Sequence, residues 1–276
     1  MSPGSSAKAP PVRVSVVSVT RNDLDGIQRT RESVVGQTVF GSGAIQHIVV
    51  DGASSDGTAA WLESEDFSGD SGFTSTPDRG IYDAMNAGAA RATGDLLVFL
   101  NGGDRFARPS TVADVIDDFA SHEWNWAYGV AVLETDDGTV SRIHQMAPFS
   151  RVRLGLGLAA VPHQATWMRT DFFRRVGDFD LAAGLSADMD YSWRASGLAE
   201  PRVLPDVLAI AHEGGASAHQ PPGFYARSMR KNIKRHHDSV LGNPLADSLA
   251  SAGVTALTAA VQVIPQAWSR LLGRSN

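Results

Sequence analysis

Three blocks of acidic and amide residues follow apolar runs within the first 104 residues of the chain. They read VVDGASSDGT at 49–58, TPDRGIYDAMNAG at 76–88 and ATGDLLVFLNGGD at 92–104. The surrounding pattern predicts strands at 12–19, 45–50, 73–75 and 96–100, and helices at 24–35, 57–62 and 81–92. Strands that alternate with helices predict a parallel sheet with right-handed crossovers. Because the carboxyl ends of such strands open into a ligand crevice, the blocks predict a nucleotide-sugar site there.

The second half of the chain has a looser pattern. The elements predicted there are a helix at 110–121, strands at 126–133 and 140–144 around an Asp136-Asp137-Gly138 hairpin turn, a strand-like ATWM, and helices at 170–176 and after Asp188. The fold class is therefore α/β with a mixed central sheet. We expect its second half to supply acceptor and catalytic groups.

Composition restricts the class of protein further. With 276 residues and 43% hydrophobic content, the chain can form one large domain, which we assign to residues 12–225. A net charge of −6 argues against a partner that is nucleic acid. The absence of cysteine excludes disulfides, thiolate metal sites and a cysteine nucleophile, and it fits a reducing compartment.

The ends of the chain bear on its location. Residues 1–11, MSPGSSAKAPP, are small, polar and Pro-rich, which predicts a disordered leader and not a signal peptide. The chain contains no run of ~18 apolar residues, so the sequence predicts no membrane-spanning helix. We therefore expect a cytoplasmic protein that associates at most peripherally with the cytoplasmic membrane face.

Polar residues at the ends of the first two strands are candidate ligand contacts. The first strand ends in Thr20-Arg21-Asn22, and Asp51 directly ends the second. At that point a carboxylate can accept a nucleobase N–H or a ribose hydroxyl. Asp23 and Asp56, by contrast, precede helices and are expected to act as caps.

Two further blocks carry acids beside glycine. In the 76–88 block, Asp78 and Asp83 stand on either side of Gly80, and each could also be a helix cap or a solvated residue. Asp104 follows the strand LLVFL and two glycines, which let the backbone approach a ligand closely. A carboxylate at that place suits Mg²⁺ or Mn²⁺, because such hard ions take oxygen ligands and share them with a diphosphate.

These motifs together resemble the family-2 glycosyltransferases of the GT-A fold. The resemblance rests on the three blocks, the TRN strand end, the SV-x-x-Q of residues 33–37, HQATW at 163–167 and ADMDYSWR at 187–194. It covers roughly residues 12–217 and is most similar to exopolysaccharide-assembly transferases of colanic-acid-type clusters. It implies inverting transfer of a hexose-type residue from a UDP-, GDP- or dTDP-sugar to a glycan or lipid-linked acceptor.

The resemblance also implies roles for single residues. The donor-binding set comprises Thr20, Asn22, Asp51, Asp78, Arg79, Asn101, His163 and Arg194. Asp104 is the implied ligand of a divalent metal, and His212 is a candidate further ligand from a late loop. Many family members carry Asp-x-Asp-Asp at the metal motif, whereas this chain has Asn101 and Gly103 at the first and third positions. We therefore expect weaker metal affinity.

The resemblance places the catalytic base at Asp188. Inverting transfer needs a carboxylate that takes the proton of the attacking acceptor hydroxyl. In the family this acid lies in a Glu-Asp or Ala-Asp pair that opens a helix, which here is Ala187-Asp188. The alternative is that Asp188 only caps the helix. Asp190 points to a different helix face and is expected to be solvated or structural, while His163 and Arg194 could also be ordinary surface groups.

The tail at 226–276 has a different character and is predicted to be helical. Five cations recur on one helical face, at Arg227, Arg230, Lys231, Lys234 and Arg235. They form either a solvated face or a surface for anionic lipid or a lipid-diphosphate acceptor. In the second case the apolar segment 254–272 would lie in the membrane interface, with anchors at Val261, Ile264, Trp268, Leu271 and Leu272.

Two other functions compete with glycosyl transfer. A nucleotidyltransferase would use a similar crevice, but residues 20–26 lack the Gly-rich basic loop that such enzymes usually need after the first strand. A non-catalytic sugar-nucleotide sensor remains an alternative because Asp104 is the only acid of its block after the strand.

Overall fold

The computed structural model describes residues 12–135, 137–213, 220–221 and 223–271, with residues 258–271 as helical backbone only. Some predicted features lie outside the described residues, namely the leader and Asp136 of the hairpin turn. The proposed apolar anchors of the tail lie in the part described as backbone only or beyond it. The strands are β1 (Val14–Thr20), β2 (Ile45–Asp51), β3 (Gly72–Ser75), β4 (Leu96–Phe99), β5 (Arg105–Phe106), β6 (Trp126–Glu134), β7 (Val140–His144), β8 (Thr166–Arg169) and β9 (Arg202–His212). The α-helices are α1 (Leu24–Val35), α2 (Thr58–Ser64), α3 (Ile81–Ala90), α4 (Thr111–His122), α5 (Arg151–Gly155), α6 (Thr170–Val176), α7 (Ala187–Leu198), α8 (Phe224–Arg235) and α9 (Pro244–Leu271). Short 3-10 helices cover His163–Ala165 and Leu181–Ser186.

The strands form one mixed sheet, as the sequence predicts. Its order is β3-β2-β1-β4-β8-β6-β9-β5, with β7 paired to β6. The four strands from β3 to β4 run parallel, and β8 joins both β4 and β6 in antiparallel pairs. The sheet therefore combines a parallel, nucleotide-binding type of half with a second half of mixed direction.

The central strands are buried on both faces, which explains their continuous apolar runs. Successive side chains of a strand point to opposite faces. In β1, Val17 and Val19 accordingly pack into one core, while Val14 and Val16 pack into another. The first core lies under α3 and the helices of the second half, and the other core lies under α1 and α4.

Helix α8 is part of this body and not an appendage. Met229 and Ile233 are buried in the first core, and the Asn232 amide Nδ2 donates to the Ser186 hydroxyl at 3.0 Å. The boundary predicted after residue 225 falls inside this helix. Removing residues from 226 onward would therefore expose the core beside α7.

The cationic face of α8 is partly consumed by contacts within the protein. Arg235 forms an ion pair with Asp180 at 2.7 Å, and Arg230 hydrogen-bonds the Ser248 hydroxyl of α9. Lys231 and Lys234 are exposed. The five cations thus do not act as one solvated stripe. In the part of the chain that the structure describes, no helix combines the length and the apolar character needed to cross a membrane.

Candidate active site

The carboxyl edge of the parallel strands brings the predicted strand-end residues into one row. Thr20 of β1 is the register partner of Asp51 of β2, and Asp51 is in turn the partner of Ser75. The Gly102 amide donates to the Val19 carbonyl at 2.9 Å, which adds the loop after β4 to the same edge. The residues that end the three sequence blocks therefore meet at one edge of the sheet.

Asp51 is fully buried and organises the loop that follows it. Its carboxylate accepts hydrogen bonds from the Ser75 hydroxyl at 2.5 Å, from the Ser54 amide at 3.1 Å and from the Ser54 hydroxyl. Asn22, with a φ of 50°, accepts the Ser55 amide at 2.8 Å through its Oδ1. Both residues hold the 52–58 loop against β1, and their contact with a nucleoside stays a prediction.

Asp78 lies against the end of β2. Its Oδ1 accepts the Gly80 amide at 2.8 Å, and its Oδ2 packs over Gly52, where an added methyl group would stand 2.4 Å away. Only glycine at 52 permits this approach. Arg79 points outward instead, with 77% of its side chain exposed and an ion pair to Asp83 at 2.7 Å.

The 101–104 loop is anchored from below by α1. The Thr30 hydroxyl contacts the carbonyl oxygens of Asn101 at 3.0 Å and Asp104 at 2.6 Å. Gly103 has a φ of +90°, which favours glycine. Two oxygens at this edge, Thr20 Oγ1 and Asn101 Oδ1, are buried and have no hydrogen-bond partner among the described residues. Such oxygens are available to a ligand or a water molecule, because buried polar atoms are usually satisfied.

Asp104 is the titratable group of this loop. Burial raises its pKa to about 8, although hydrogen bonds from the backbone of Asn101 and His212 favour its ionised form. A methyl group at Gly103 would stand 3.7 Å from His212 Cβ and 3.9 Å from Asp23 Oδ2, so the structure brings the two predicted metal residues together. Sequence reasoning treated Asp23 only as the cap of α1. It fills that role, and its second oxygen also faces this loop.

The residues of this loop fit a hard divalent cation. The loop offers the buried Asp104 carboxylate and the unsatisfied Asn101 Oδ1, and the neighbouring end of β1 offers the unsatisfied Thr20 Oγ1. Oxygen is the ligand type that Mg²⁺ and Mn²⁺ prefer. A positive charge beside Asp104 would also favour the ionised carboxylate, against the effect of burial.

Asp188 lies in the first turn of α7, one residue after the helix begins. The helix begins at Ala187 after Ser186, whose side chain makes no capping bond, so Asp188 lies inside the first turn and not at the N-cap position. Its Oδ1 accepts the Met189 amide at 2.8 Å, and its Oδ2 lies 3.6 Å from His163 Nδ1. The side chain of Asp188 is 20% exposed, so the carboxylate is sheltered yet reachable.

Two neighbours of Asp188 escaped sequence reasoning. Burial, together with the charge of the nearby Asp188 carboxylate, raises the pKa of Tyr82 well above its usual value. His144, at the end of β7, interacts with both His163 and Asp188. Burial lowers the pKa of both histidines, so they are neutral at pH 7. The position of Tyr82 inside GIYDAMN was a usable signal, whereas nothing in the sequence singled out His144.

Asp190 has an opposite environment two residues later. It is fully buried, and it pairs with Arg194 at 3.0 Å, His236 at 2.7 Å and Arg235 at 3.8 Å. It is therefore structural, and the solvated alternative is wrong. Asp180, Asp190 and His236 offer ligand atoms within 4.8 Å of one another, as a metal site would. Two guanidinium groups already neutralise these acids, so we interpret the cluster as an ion-pair network.

Arg194 serves the same network. Its guanidinium donates to the carbonyl oxygens of Val176 and Asp178, both at 2.8 Å, in addition to Asp190. These contacts tie α7 to the segment after α6. They are the contacts of a structural arginine, and the predicted role of Arg194 in donor binding gains no support from them.

The chain has relatives of known family. The model of Glycosyl transferase family 2 matches residues 15–177. An uncharacterized glycosyltransferase of Mycobacterium tuberculosis is 36% identical over 221 residues, which make up 79% of this chain and 82% of the relative. This similarity extends beyond the matched family region into the second half of the chain.

Solved structures share the fold. S. aureus TarS 1–349, in complex with UDP-GlcNAc, superposes with a TM-score of 0.62 at 18% identity, and the match covers 88% of this chain and 71% of that one. In another crystal structure of S. aureus TarS, 42% of the chain is covered. The mannosyltransferase PcManGT from Pyrobaculum calidifontis, in complex with GDP-Man and Mn²⁺, gives a TM-score of 0.62 at 18% identity over 97% of this chain and 77% of its own. The architecture is thus of the GT-A type, as the sequence predicts.

Proposed function

Because this chain belongs to glycosyl transferase family 2, we propose that it transfers a sugar with inversion from a nucleoside diphosphate to a glycan or lipid-linked acceptor. The observation that carries the proposal is the environment of Asp188. Its carboxylate is partly exposed, and its described neighbours are the Met189 amide, a neutral imidazole and a phenol. A carboxylate that accepts bonds from neutral donors is a better base than one paired with guanidinium groups.

The reaction follows from this arrangement. Asp188 takes the proton of the acceptor hydroxyl while the hydroxyl oxygen attacks the anomeric carbon of the donor. The bond between that carbon and the diphosphate oxygen breaks on the opposite face, and the nucleoside diphosphate leaves with the bonding electrons. Attack from the opposite face inverts the configuration at the anomeric carbon.

The strand edge supports the donor half of the proposal. Thr20 and Asn101 offer unsatisfied oxygens there, and Asp51 and Asp78 shape the loops that would border the nucleoside. Asp104, with Asn101 and His212 beside it, would hold the divalent cation. When bound, the cation neutralises charge on the departing diphosphate. The ligands of the two solved neighbours make UDP- and GDP-sugars the first donors to test, followed by dTDP-sugars.

The test begins with donor identification by thermal shift with Mn²⁺, because a ligand that binds only the folded state raises the melting temperature. With that donor, Asp188→Asn should lower turnover by ~10²–10⁴-fold while donor binding is retained. NMR of the product should show the anomeric configuration opposite to that of the donor. A product with retained configuration, or near-normal turnover of the variant, would reject the proposal.

The cation site is tested separately. Asp104→Asn should weaken the Mn²⁺ dependence of donor binding, since Asp104 supplies the carboxylate of the 101–104 loop and the Asp23 carboxylate only faces that loop. Titration calorimetry of donor with and without Mn²⁺ measures this. If the dependence is unchanged, the cation is held by other residues. If wild-type protein binds donor but neither transfers nor hydrolyses it, the chain is a sensor and not an enzyme.

We place the acceptor side at an anionic membrane surface. On α9, Leu245 and Leu249 are 69% and 68% exposed one turn apart, and the exposed Lys231 and Lys234 belong to the neighbouring α8. An apolar helix face beside cations favours the interface of an anionic bilayer. Changing both leucines to serine should weaken co-sedimentation with anionic vesicles, and salt should weaken it further. Leu198→Ser, at a leucine of 55% exposure on α7, is the matched control.

A further inference from the structure

The second oxygen of the Asp23 carboxylate lies outside the cap of α1. Oδ1 accepts the Gly26 amide at 3.0 Å, which is the capping bond. Oδ2 has no hydrogen-bond donor among the described residues, and it lies 3.4 Å from the point where a methyl group on Gly102 would stand. A methyl group on Gly26 would stand 1.9 Å from the same oxygen. Two glycines therefore make room for this carboxylate, and Oδ2 faces the hollow beside Gly102.

Thr20, the last residue of β1, supplies a second oxygen to the same hollow. Its Oγ1 lies 3.2 Å from the point where the methyl group on Gly102 would stand. Thr20 is only 7% exposed, and its Oγ1 has no hydrogen-bond partner among the described residues. Buried hydroxyl groups are usually hydrogen-bonded, so this one has unused capacity for a ligand. The hollow beside Gly102 is therefore flanked by one hydroxyl oxygen and one carboxylate oxygen.

The strand order places this hollow in the middle of the proposed donor site. In the sheet, β1 lies between β2 and β4. Asp51 ends β2 on one side, and the loop that contains Asp104 follows β4 on the other side. In a nucleoside diphosphate, the ribose joins the base to the diphosphate. With the nucleoside bordered by Asp51 and the diphosphate at Asp104, the ribose has to cross the end of β1, where Thr20 and Asp23 lie.

The two oxygens have the chemistry of a hydroxyl-binding site. A carboxylate repels a phosphate group but accepts a charge-assisted hydrogen bond from a hydroxyl. The Thr20 hydroxyl can donate as well as accept, so it can bind the oxygen of the same ligand group. The described acidic and histidine ligand atoms that gather within 4.8 Å, as a metal site requires, belong to Asp180, Asp190 and His236. Asp23 therefore suits a sugar hydroxyl better than a second metal ligand.

We propose that Asp23 binds a ribose hydroxyl of the donor nucleotide through its Oδ2, together with Thr20 Oγ1. The inference rests on the proposed function, in which the donor is a nucleoside-diphosphate sugar. It gives Asp23 two roles, since one carboxylate oxygen caps α1 and the other selects the sugar of the nucleotide. Asp23 is thus a specificity-determining residue of the donor site.

Nucleotide analogues test this inference without turnover. Titration calorimetry in the presence of Mn²⁺ compares UDP and GDP with their 2′-deoxy and 3′-deoxy analogues, and dTDP with its 3′-deoxy analogue. For the nucleotide that binds, removal of the hydroxyl that Asp23 accepts should weaken binding to the wild type roughly tenfold. That factor corresponds to the loss of one hydrogen bond to a charged group.

The variant Asp23→Ser removes Oδ2 but keeps a side chain that caps helices about as well as aspartate. Its affinity for the complete nucleotide should fall roughly tenfold, because the same hydrogen bond is lost. Its affinity for the deoxy analogue should match that of the wild type, which also shows that the rest of the site is intact. The variant should therefore no longer distinguish the two ligands.

Two further variants separate the position of the carboxylate from its charge. Asp25→Ser is the matched control, because it removes an exposed acid two residues further along α1, and it should keep the discrimination of the wild type. Gly26→Ala keeps the Asp23 carboxylate but displaces it, since the three atoms nearest to the added methyl group all belong to Asp23. This variant should lose discrimination although its charge is unchanged.

The outcomes distinguish this inference from the proposed function. If the wild type binds a nucleotide and its deoxy analogues equally, or if Asp23→Ser keeps the discrimination, the role of Asp23 is overturned and the proposed base stands. An equal loss of affinity in Asp25→Ser would show a general effect of charge and would also overturn it. If the wild type binds none of the three nucleotides, the donor half of the proposed function fails as well. If discrimination depends on Asp23 but Asp188→Asn retains turnover, the proposed base alone is wrong.

Discussion

Asp188 and Asp190 are the same residue type, two positions apart on one helix, yet their surroundings are opposite. Asp188 is 20% exposed and lies among a backbone amide, a phenol and neutral imidazoles. Asp190 is fully buried and paired with Arg194, Arg235 and His236. The difference indicates that the charges of neighbouring groups, and not the residue type, distinguish a candidate base from a structural aspartate.

Helix geometry produces this difference. With 3.6 residues per turn, positions two apart point to nearly opposite sides of a helix. Asp188 therefore faces α3 and the 3-10 turn at 163–165, whereas Asp190 faces α8. Helix α7 thus separates the proposed catalytic side, at Asp188, from an ion-pair network that joins α7 to α8.

The largest expected effect is on stability, at Asp190. Asp190→Asn leaves two guanidinium groups beside a neutral amide, which should lower the free energy of unfolding by roughly 3 kcal/mol. This is the low end of the usual range because Arg194 and Arg235 keep 18% and 29% side-chain exposure. Urea denaturation measures it, with Asp188→Asn as the control expected to change the same free energy by less than about 1 kcal/mol. An equal loss of unfolding free energy in both variants would contradict the different roles assigned to Asp188 and Asp190.

A smaller effect is expected at Arg194, and it also decides the role of that residue. Arg194→Met removes the bonds to Asp190 and to the carbonyls after α6, so unfolding free energy should fall by about 2 kcal/mol. The donor KM of the folded protein should stay within about twofold. A large rise in donor KM without loss of stability would instead restore the predicted donor-binding role of Arg194.

The smallest expected effect is a change in the pKa of His163 when Asp188 is replaced. Burial lowers the pKa of His163 below 6.5, while the Asp188 carboxylate opposes that shift. In Asp188→Asn the imidazole should therefore titrate at still lower pH, which NMR of labelled histidine can follow. Because the unfolded chain binds the proton more readily, His163 favours folding above about pH 6.5 and loses that contribution as the pH falls. A titration of His163 above pH 6.5 would contradict a neutral imidazole.

The first hundred residues were predictable because their signals are local. Helix α1 has the predicted bounds, and Asp23 caps it as predicted. Thr20, Asp51 and Asn101 gather at one edge because parallel strands end together, so the strand pattern alone locates them. The charge and spacing of the residues did not reveal which of these side chains would form their hydrogen bonds within the protein, as Asp51 does.

The second half was less predictable because its contacts are distant in sequence. Strand β9 contains Pro205 and Asp206 and lacks a clear alternation, and it was not predicted as a strand. The Asp188 charge raises the pKa of Tyr82 only because α3 and α7 pack on the same face of the sheet. The basic pattern of α8 was correctly seen as helical, but only packing shows that Arg230 and Arg235 are used internally.

Gly52 has no chemistry of its own, yet the site depends on its missing side chain. Any larger residue would collide with the Asp78 carboxylate, because even a methyl group would stand 2.4 Å from it. A saturation-mutagenesis screen scored by activity should therefore find substitutions at position 52 harmful, because each displaces the Asp78 carboxylate from the end of β2. Such a screen records where the backbone leaves no room as well as where a functional group is needed, so intolerance at Gly52 would mark the geometry of the crevice and not a reacting atom.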